Sequence, residues 1–437
     1  MLLIFTQKIT PRVKFIFKQY FGEILGVPFN LCSDLQEFVS FNGPKLSYTK
    51  QPLFKELHFQ ATDLLFETGV EDPEISIFDS EGIPAFFPCS QKSALNFDPF
   101  ACGFFMLSRY EEYMIHIKDK HDRFRAEDSL AYKNNFLETP VVDLWAEKIK
   151  EKLLEQFPDL TFAKKSFQFI NTIDIDQAYA YKEKGIFRQS GIMIKHLIKL
   201  RINKVAEVLS VLVGRNQDPF DTFPFLLDIQ KRYQPNSIFF VLLGSYGTFD
   251  KNIHPKNRNF QSLIKSLGDY VNIGIHPSYG SHENIKLLRK ERRMLKSILN
   301  REVLKSRQHF LKFNLPETFR NLLEMGIEED YTMGFASKVG FRAGTCTPFQ
   351  FYDLDLEYET RLKLYPFCIM DASLNYYLEF TPEQANHKIQ ELMDNVKKVQ
   401  GTFISIWHNE TLSNKELWKG WRTVYSNMIK NACHESK

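Results

Sequence analysis

From residue 167 onward the sequence predicts an α/β fold, a distorted and incomplete (β/α) barrel of about seven strands, with a smaller α+β domain before it. Three observations predict it. Short apolar runs alternate with longer amphipathic stretches, ionisable residues gather at the C-terminal ends of those runs, and the pattern changes character just after Pro158.

The expected strands are 167–173, 237–243, 270–275, 303–313, 331–336, 365–370 and 402–407, with helical stretches such as 284–299, 316–325 and 382–399 between them. Strand followed by helix, repeated, argues for a parallel sheet with helical crossovers, and about seven strands suggest a partly closed barrel over an open doubly wound sheet. Before residue 160, strand-like runs at 1–5, 45–49 and 74–78 mix with turn residues and a helical stretch at 100–113. Apolar positions at Leu144, Ile149, Leu153 and Leu154 predict a helix over 143–157 that ends near Pro158. The boundary is therefore placed at 158–165, dividing the chain into 1–160, of unknown role, and 166–437.

Composition narrows the function classes. The 437 residues are 43% apolar and 25% charged, enough for a sizeable core. A net charge of +3, spread rather than clustered, predicts neither a nucleic-acid partner nor a polybasic membrane anchor. The basic run at 286–296 is flanked by Glu283, broken by Glu291, and reads as a solvated helix face. Six cysteines, Cys32, Cys89, Cys102, Cys346, Cys368 and Cys433, form no CxxC pair. Scattered thiols, an N-terminus unlike a signal peptide and no run of ~20 apolar residues together predict a cytoplasmic protein without a membrane span. Nothing in the sequence sets the oligomeric state.

The polar residues at the strand ends carry the chemistry. The first strand of the barrel ends in Thr172-Ile-Asp174-Ile-Asp176, the 270–275 strand in His276-Pro-Ser-Tyr279, and the last in Trp407-His408-Asn409. Arg307 and His309 lie in the 303–313 strand, and the 365–370 strand runs into Asp371. Two carboxylates two residues apart on an extended chain share a face and repel unless a cation or donor separates them. A strand-terminal imidazole offers that cation a lone pair. Solvated loop carboxylates and ordinary structural histidines remain the alternative reading of each residue taken singly.

Together these residues resemble the NodB-type polysaccharide deacetylases of carbohydrate esterase family four. Thr172, Asp174 and Asp176 match an early Asp-x-Asp motif, His276 the start of a His-Ser-x-x-His motif, Arg307 the arginine-bearing strand, and His408 a late Leu-His-like motif. The resemblance covers about residues 167 to 430, and the segment before it is similar to the uncharacterised domain preceding such deacetylases in some bacterial proteins. It implies hydrolysis of N-acetyl groups on an amino-sugar glycan or its lipid- or nucleotide-linked precursor, with one divalent metal ion: zinc, or else cobalt or nickel. It further implies Asp174 as general base, Asp176 and His276 as metal ligands, His408 as general acid, and Arg307 as the group that orients the base.

One departure stands out. The family's second histidine falls four residues after the first, where this chain has Gly280, so the third ligand is expected to be His282 or His309, or else water in a weaker site. The turn at 340–344 offers Arg342 for a sugar hydroxyl or phosphate, and Tyr279 and Trp407 are candidates for stacking on a sugar ring. Asp371 reads first as a helix N-cap. Two further functions stay open: a metal-independent glycoside hydrolase with Asp371 as the distant carboxylate, and a non-catalytic carbohydrate-binding protein on the same barrel.

Overall fold

The computed structural model describes residues 1–433. The chain opens with β1 (Leu2–Thr6), β2 (Phe29–Cys32), β3 (Lys45–Thr49) and β4 (Leu57–Gln60), which pair in parallel in the order β2-β1-β3-β4. β1 reads LLIFT and is buried at every position, as expected of a central strand covered on both faces. The N-terminal part is thus built on a four-stranded parallel sheet, where the sequence predicts a smaller α+β domain. Thr10 caps the first crossover helix, Pro11–Phe17, by accepting from the Val13 amide, with proline in the first turn.

A hairpin of β5 (Phe78–Ser80) and β6 (Ile83–Ala85) follows. The helix expected over 100–113 is two helices, Pro99–Leu107 and Tyr110–Tyr113, separated at Arg109, whose φ is 54°. Helix Val141–Gln156 forms close to where its apolar spacing places it.

The second sheet contains β7 (Gln168–Ile175), β8 (Asn236–Leu242), β9 (Asn272–His276), β10 (Lys305–Ser306), β11 (Glu329–Asp330), β12 (Phe349–Asp353), β13 (Tyr358–Leu364), β14 (Ile369–Met370) and β15 (Thr402–His408). Their order is β12-β13-β11-β10-β9-β8-β7-β15-β14. All neighbours run parallel except β12, which pairs antiparallel with β13 at one edge. This corrects the seven-stranded barrel: nine strands form, and the sheet stays open between β12 and β14. It is nevertheless strongly curled, because Ile170, Ile238, Phe240, Met370, Ile404 and Ile406 from β7, β8, β14 and β15 meet Tyr331 and Phe367 in one buried cluster on its inner face.

Three strand expectations are met only in part. Of the 303–313 run only Lys305–Ser306 is strand; Arg307 and His309 still donate backbone bonds to Ile275 and Pro277, and the chain then turns through left-handed conformations at Phe310 (φ 59°) and Leu311 (φ 53°). Residues 331–336 leave the sheet after β11, and 365–370 contributes only β14. The β12–β13 hairpin was not anticipated; in β13, the strand next to the edge, charged residues alternate with buried apolar ones.

The N-terminal part packs against that hairpin. Phe15 meets Tyr352 with ring centroids 5.0 Å apart, and the buried Arg12 makes a bidentate pair with Glu357. Farther along, Asp143 accepts from Thr345, Cys346 and Thr347, and Glu112 from Arg342. The main apolar cluster draws residues from both sheets. Among the described residues no two cysteines form a disulfide, and no helix is long and apolar enough to cross a membrane.

Candidate active site

Strand alternation brings the functional side chains to the inner face of the curled sheet. On β7, Ile170 enters the interior cluster, so Thr172 and Asp174 follow it on the same side. The register of β7 with β15 sets Asp174 abreast of His408, and that of β8 with β9 sets Leu242 abreast of His276. Gly274 permits the close packing below: a Cβ there would lie 2.5 Å from the Phe240 ring, and Phe240 in turn carries the Arg307 guanidinium 4.7 Å above its centroid.

Arg307 is fully buried and serves as the strut of the site. Nε donates to the Tyr331 carbonyl at 3.0 Å, and Nη1 donates to Thr172 Oγ1 at 2.6 Å and to Asp174 Oδ1 at 3.0 Å. Its own carbonyl oxygen lies 2.5 Å from Nδ1 of His276. With Nδ1 as the donor, His276 presents a bare Nε2 to the cleft, 3.2 Å from Asp176 Oδ1 and 3.8 Å from Asp174 Oδ2.

His309 repeats the arrangement. Nδ1 bonds Asp250 Oδ1 at 2.8 Å, and Nε2 faces Asp176 Oδ2 at 3.3 Å. One potential ligand atom from each of Asp176, His276 and His309 falls within a 4.8 Å cluster. Asp176 Oδ1 is buried and accepts no hydrogen bond, although an imidazole nitrogen stands beside it. Acceptors converging on one point repel unless a cation or a proton lies between them, and two imidazoles with one carboxylate are a donor set that would fit zinc, cobalt or nickel. Each imidazole is fixed through its far nitrogen, as metal-ligating histidines are.

Where no cation is bound, protons do that work. Burial opposes a charged His309, but Asp176 and Asp250 outweigh it and push its pKa up to about 9. Burial likewise opposes the charge on Asp176, and His309 and His276 hold its carboxyl well below the usual range.

His408 closes the opposite side. Asp371 Oδ1 binds its Nδ1 and Asp371 Oδ2 accepts from its backbone amide, each at 2.8 Å, leaving Nε2 directed at the cleft 3.8 Å from Asp176 Oδ2. Desolvation disfavours the imidazolium, yet Asp371, Asp176 and Asp174 raise its pKa well above 6.5. Asp371 also accepts from the Ala372 amide, but the helix Ser373–Tyr377 has Ala372 at its N-cap position and no side-chain cap, so the expected N-cap role of Asp371 is replaced by its grip on His408.

The cleft over these groups is lined by Phe310, Leu311, Met370, Tyr376, Tyr377 and Glu410, among others. The left-handed Phe310, a conformation costing about 1–3 kcal/mol in a non-glycine residue, turns the chain directly after His309. Burial and Asp176 push the Glu410 carboxyl up to about 7.

Between the two candidates for the third ligand position, the structure brings His309 into the cluster and leaves His282 outside it. His282 sits with Asp122 and Glu283, but Lys118 already pairs with Asp122 and the Lys312 charge works with burial to lower the pKa of His282. Three expected substrate contacts are corrected. Trp407 alternates with His408, so it faces the other side of β15 and is fully buried against Trp421 and Tyr425. Arg342 is buried in a bidentate pair with Glu112, with Phe313 4.3 Å from its guanidinium. Tyr279 lies outside the cleft, stacked on Phe249 at 4.1 Å with its hydroxyl on His121. Sequence reasoning missed Asp250 and Glu410, which belong to no spacing motif, and the exposed pair Tyr376 and Tyr377.

Residues 2–158 match a family of unknown function, DUF7033. A search of curated proteins finds no match. Among solved structures, the chain is similar to a Mycobacterium smegmatis protein assigned as a polysaccharide deacetylase, at 14% identity and a TM-score of 0.38, over 63% of this chain and 91% of that one. A polysaccharide deacetylase from Bacillus cereus matches at 11% identity and 0.31, over 62% and 89% of the two chains. A carbohydrate esterase family four pseudoenzyme from Bacillus anthracis matches at 12% and 0.31, over 61% and 62%.

Proposed function

We propose that this chain is a metal-dependent hydrolase that removes the acetyl group from an N-acetylated amino sugar. The observation that supports it best is the placement of two separately held proton-handling groups, Asp174 on Arg307 and His408 on Asp371, around one cluster of Asp176, His276 and His309. Those three residues would hold the divalent ion, which when bound polarises an amide carbonyl and acidifies water.

The remaining chemistry belongs to the side chains. Asp174, aimed by the Arg307 guanidinium, takes the proton of the attacking water. His408 carries its proton on Nε2 toward the cleft and delivers it to the amine nitrogen as the C–N bond breaks, while Asp371 fixes the ring. Tyr376 and Tyr377, both substantially exposed at the cleft, present ring faces against which a sugar can stack.

The glycosidase alternative loses its distant carboxylate. Asp371 is fully buried and already accepts from His408, Ala372 and Thr411. The deciding experiment is acetate release from a panel of N-acetylated oligosaccharides and lipid-linked amino sugars, with and without added zinc, for the wild type and Asp174→Asn. Zinc-dependent release that is lost in Asp174→Asn is expected. Release that survives the substitution overturns Asp174 as base, and no release from any substrate overturns the activity.

A further inference from the structure

Between β7 and β8 the chain leaves the sheet as two helices, Ile186–Ile198 and Ile202–Leu212. The first buries no residue at all. Its outward stripe is Phe187, Gly191, Ile194 and Ile198, and the second helix repeats the spacing with Ile202, Ala206, Leu209 and Val213. Phe187 is 95% exposed, Ile198 77%, and Leu200 in the turn between the helices 85%. A surface helix normally turns its polar face to water. Here both helices turn an apolar stripe outward, and a contiguous patch of that kind marks an interaction surface.

Charge identifies what it meets. Residues 182–215 contain eight lysines and arginines against two glutamates, although the whole chain carries only +3. Both glutamates are already engaged: Glu183 accepts from Asn257 and Asn259, and Glu207 pairs with Lys204 and Lys415. Lys195, Lys199 and Arg201 are exposed, and among the described residues they enter no ion pair. A second copy docking face to face would set these like charges against each other, whereas an anionic surface would neutralise them.

We propose that residues 186–213 form a docking hairpin that seats the protein on the surface of a bilayer containing anionic lipid. The apolar stripes enter the interface, and Lys195, Lys199 and Arg201 lie at the headgroups. Such a hairpin lies on the membrane and does not span it. The docked face leads toward the catalytic cleft: a cavity lined by Lys184, Lys195, His196 and Lys204 is also lined by Tyr376 and Glu410, which belong to the cleft as well. Docking is independent of the proposed chemistry and is tested without it.

The experiment is flotation of the full chain with vesicles of phosphatidylcholine alone and of phosphatidylcholine mixed with phosphatidylglycerol, alongside light scattering of the protein without lipid. Binding to the mixed vesicles is expected, weakened by high salt. A triple variant, Phe187→Asp, Ile198→Asp and Leu200→Asp, is expected to bind at least about tenfold less while keeping its melting temperature, since all three side chains are exposed. Lys195→Glu with Lys199→Glu should lose the preference for anionic vesicles. Failure of the wild type to float with mixed vesicles, unchanged binding by the triple variant, or a lipid-free dimer that the triple variant converts to monomer would each overturn the proposal.

Discussion

Asp371 grips His408 twice, with one carboxylate oxygen on the backbone amide and the other on Nδ1, each at 2.8 Å. The double contact fixes ring and backbone together, so the protonated Nε2 has one direction available.

Asp371→Asn removes the negative charge that sustains the imidazolium, and the pKa of His408 falls. As the proposed acid, His408 must stay protonated for activity, so the alkaline limb of the pH–rate profile should move to lower pH. The rate constant kcat should fall about 10²–10⁴-fold. A profile with an unmoved alkaline limb would contradict the assignment.

Calorimetric titration of zinc into chelator-treated protein should show one site. Asp176→Ala and His309→Ala are expected to abolish it. Asp250→Asn should weaken it about 10–100-fold, because Asp250 orients His309 through Nδ1. His282→Ala should leave it unchanged, since His282 lies outside the cluster. An unaltered affinity in His309→Ala would remove that residue from the ligand set.

Arg307→Met strands Asp174, a carboxylate only 3% exposed, without its cation. Breaking a buried pair in this way costs about 3–5 kcal/mol, read as a lower midpoint of urea unfolding. Arg307→Lys restores charge but not the forked geometry that reaches Tyr331, Thr172 and Asp174 together, so partial loss is expected. An unchanged midpoint in Arg307→Met would show that the pair carries no stability.

Glu112 joins the N-terminal part to Arg342. Burial disfavours its charge, but Arg342 and Arg109 overcome that and lower its pKa from 4.5 to about 2. The folded chain therefore takes up this proton later than the unfolded chain does. The resulting stability, about 3 kcal/mol, is present above the ordinary carboxylate value and is lost as pH falls toward the folded one. Glu112→Gln should accordingly be less stable than the wild type at neutral pH, with a gap that narrows below about pH 4. A gap independent of pH would contradict this reading.

Much of the site is legible in the chain because parallel strands end on one edge, so Asp174, Asp176, His276 and His408 could be grouped from their strand-end positions alone. Trp407 was legible too, in hindsight: strand alternation excludes it from the face that holds His408. His309 was legible only as one of two candidates. Its selection depends on the left-handed turn at Phe310 and Leu311, which no propensity favours in bulky residues.

By itself, then, the sequence determined which residue types end the strands and the alternation that sends them inward, because both follow from local periodicity. Only the tertiary structure decided that the sheet has nine strands and stays open, that His309 joins Asp176 and His276 in one cluster, and that Asp250 and Asp371 hold the imidazoles of His309 and His408. Those partners lie 59 and 37 positions away in the chain, and no local pattern encodes a contact made by packing.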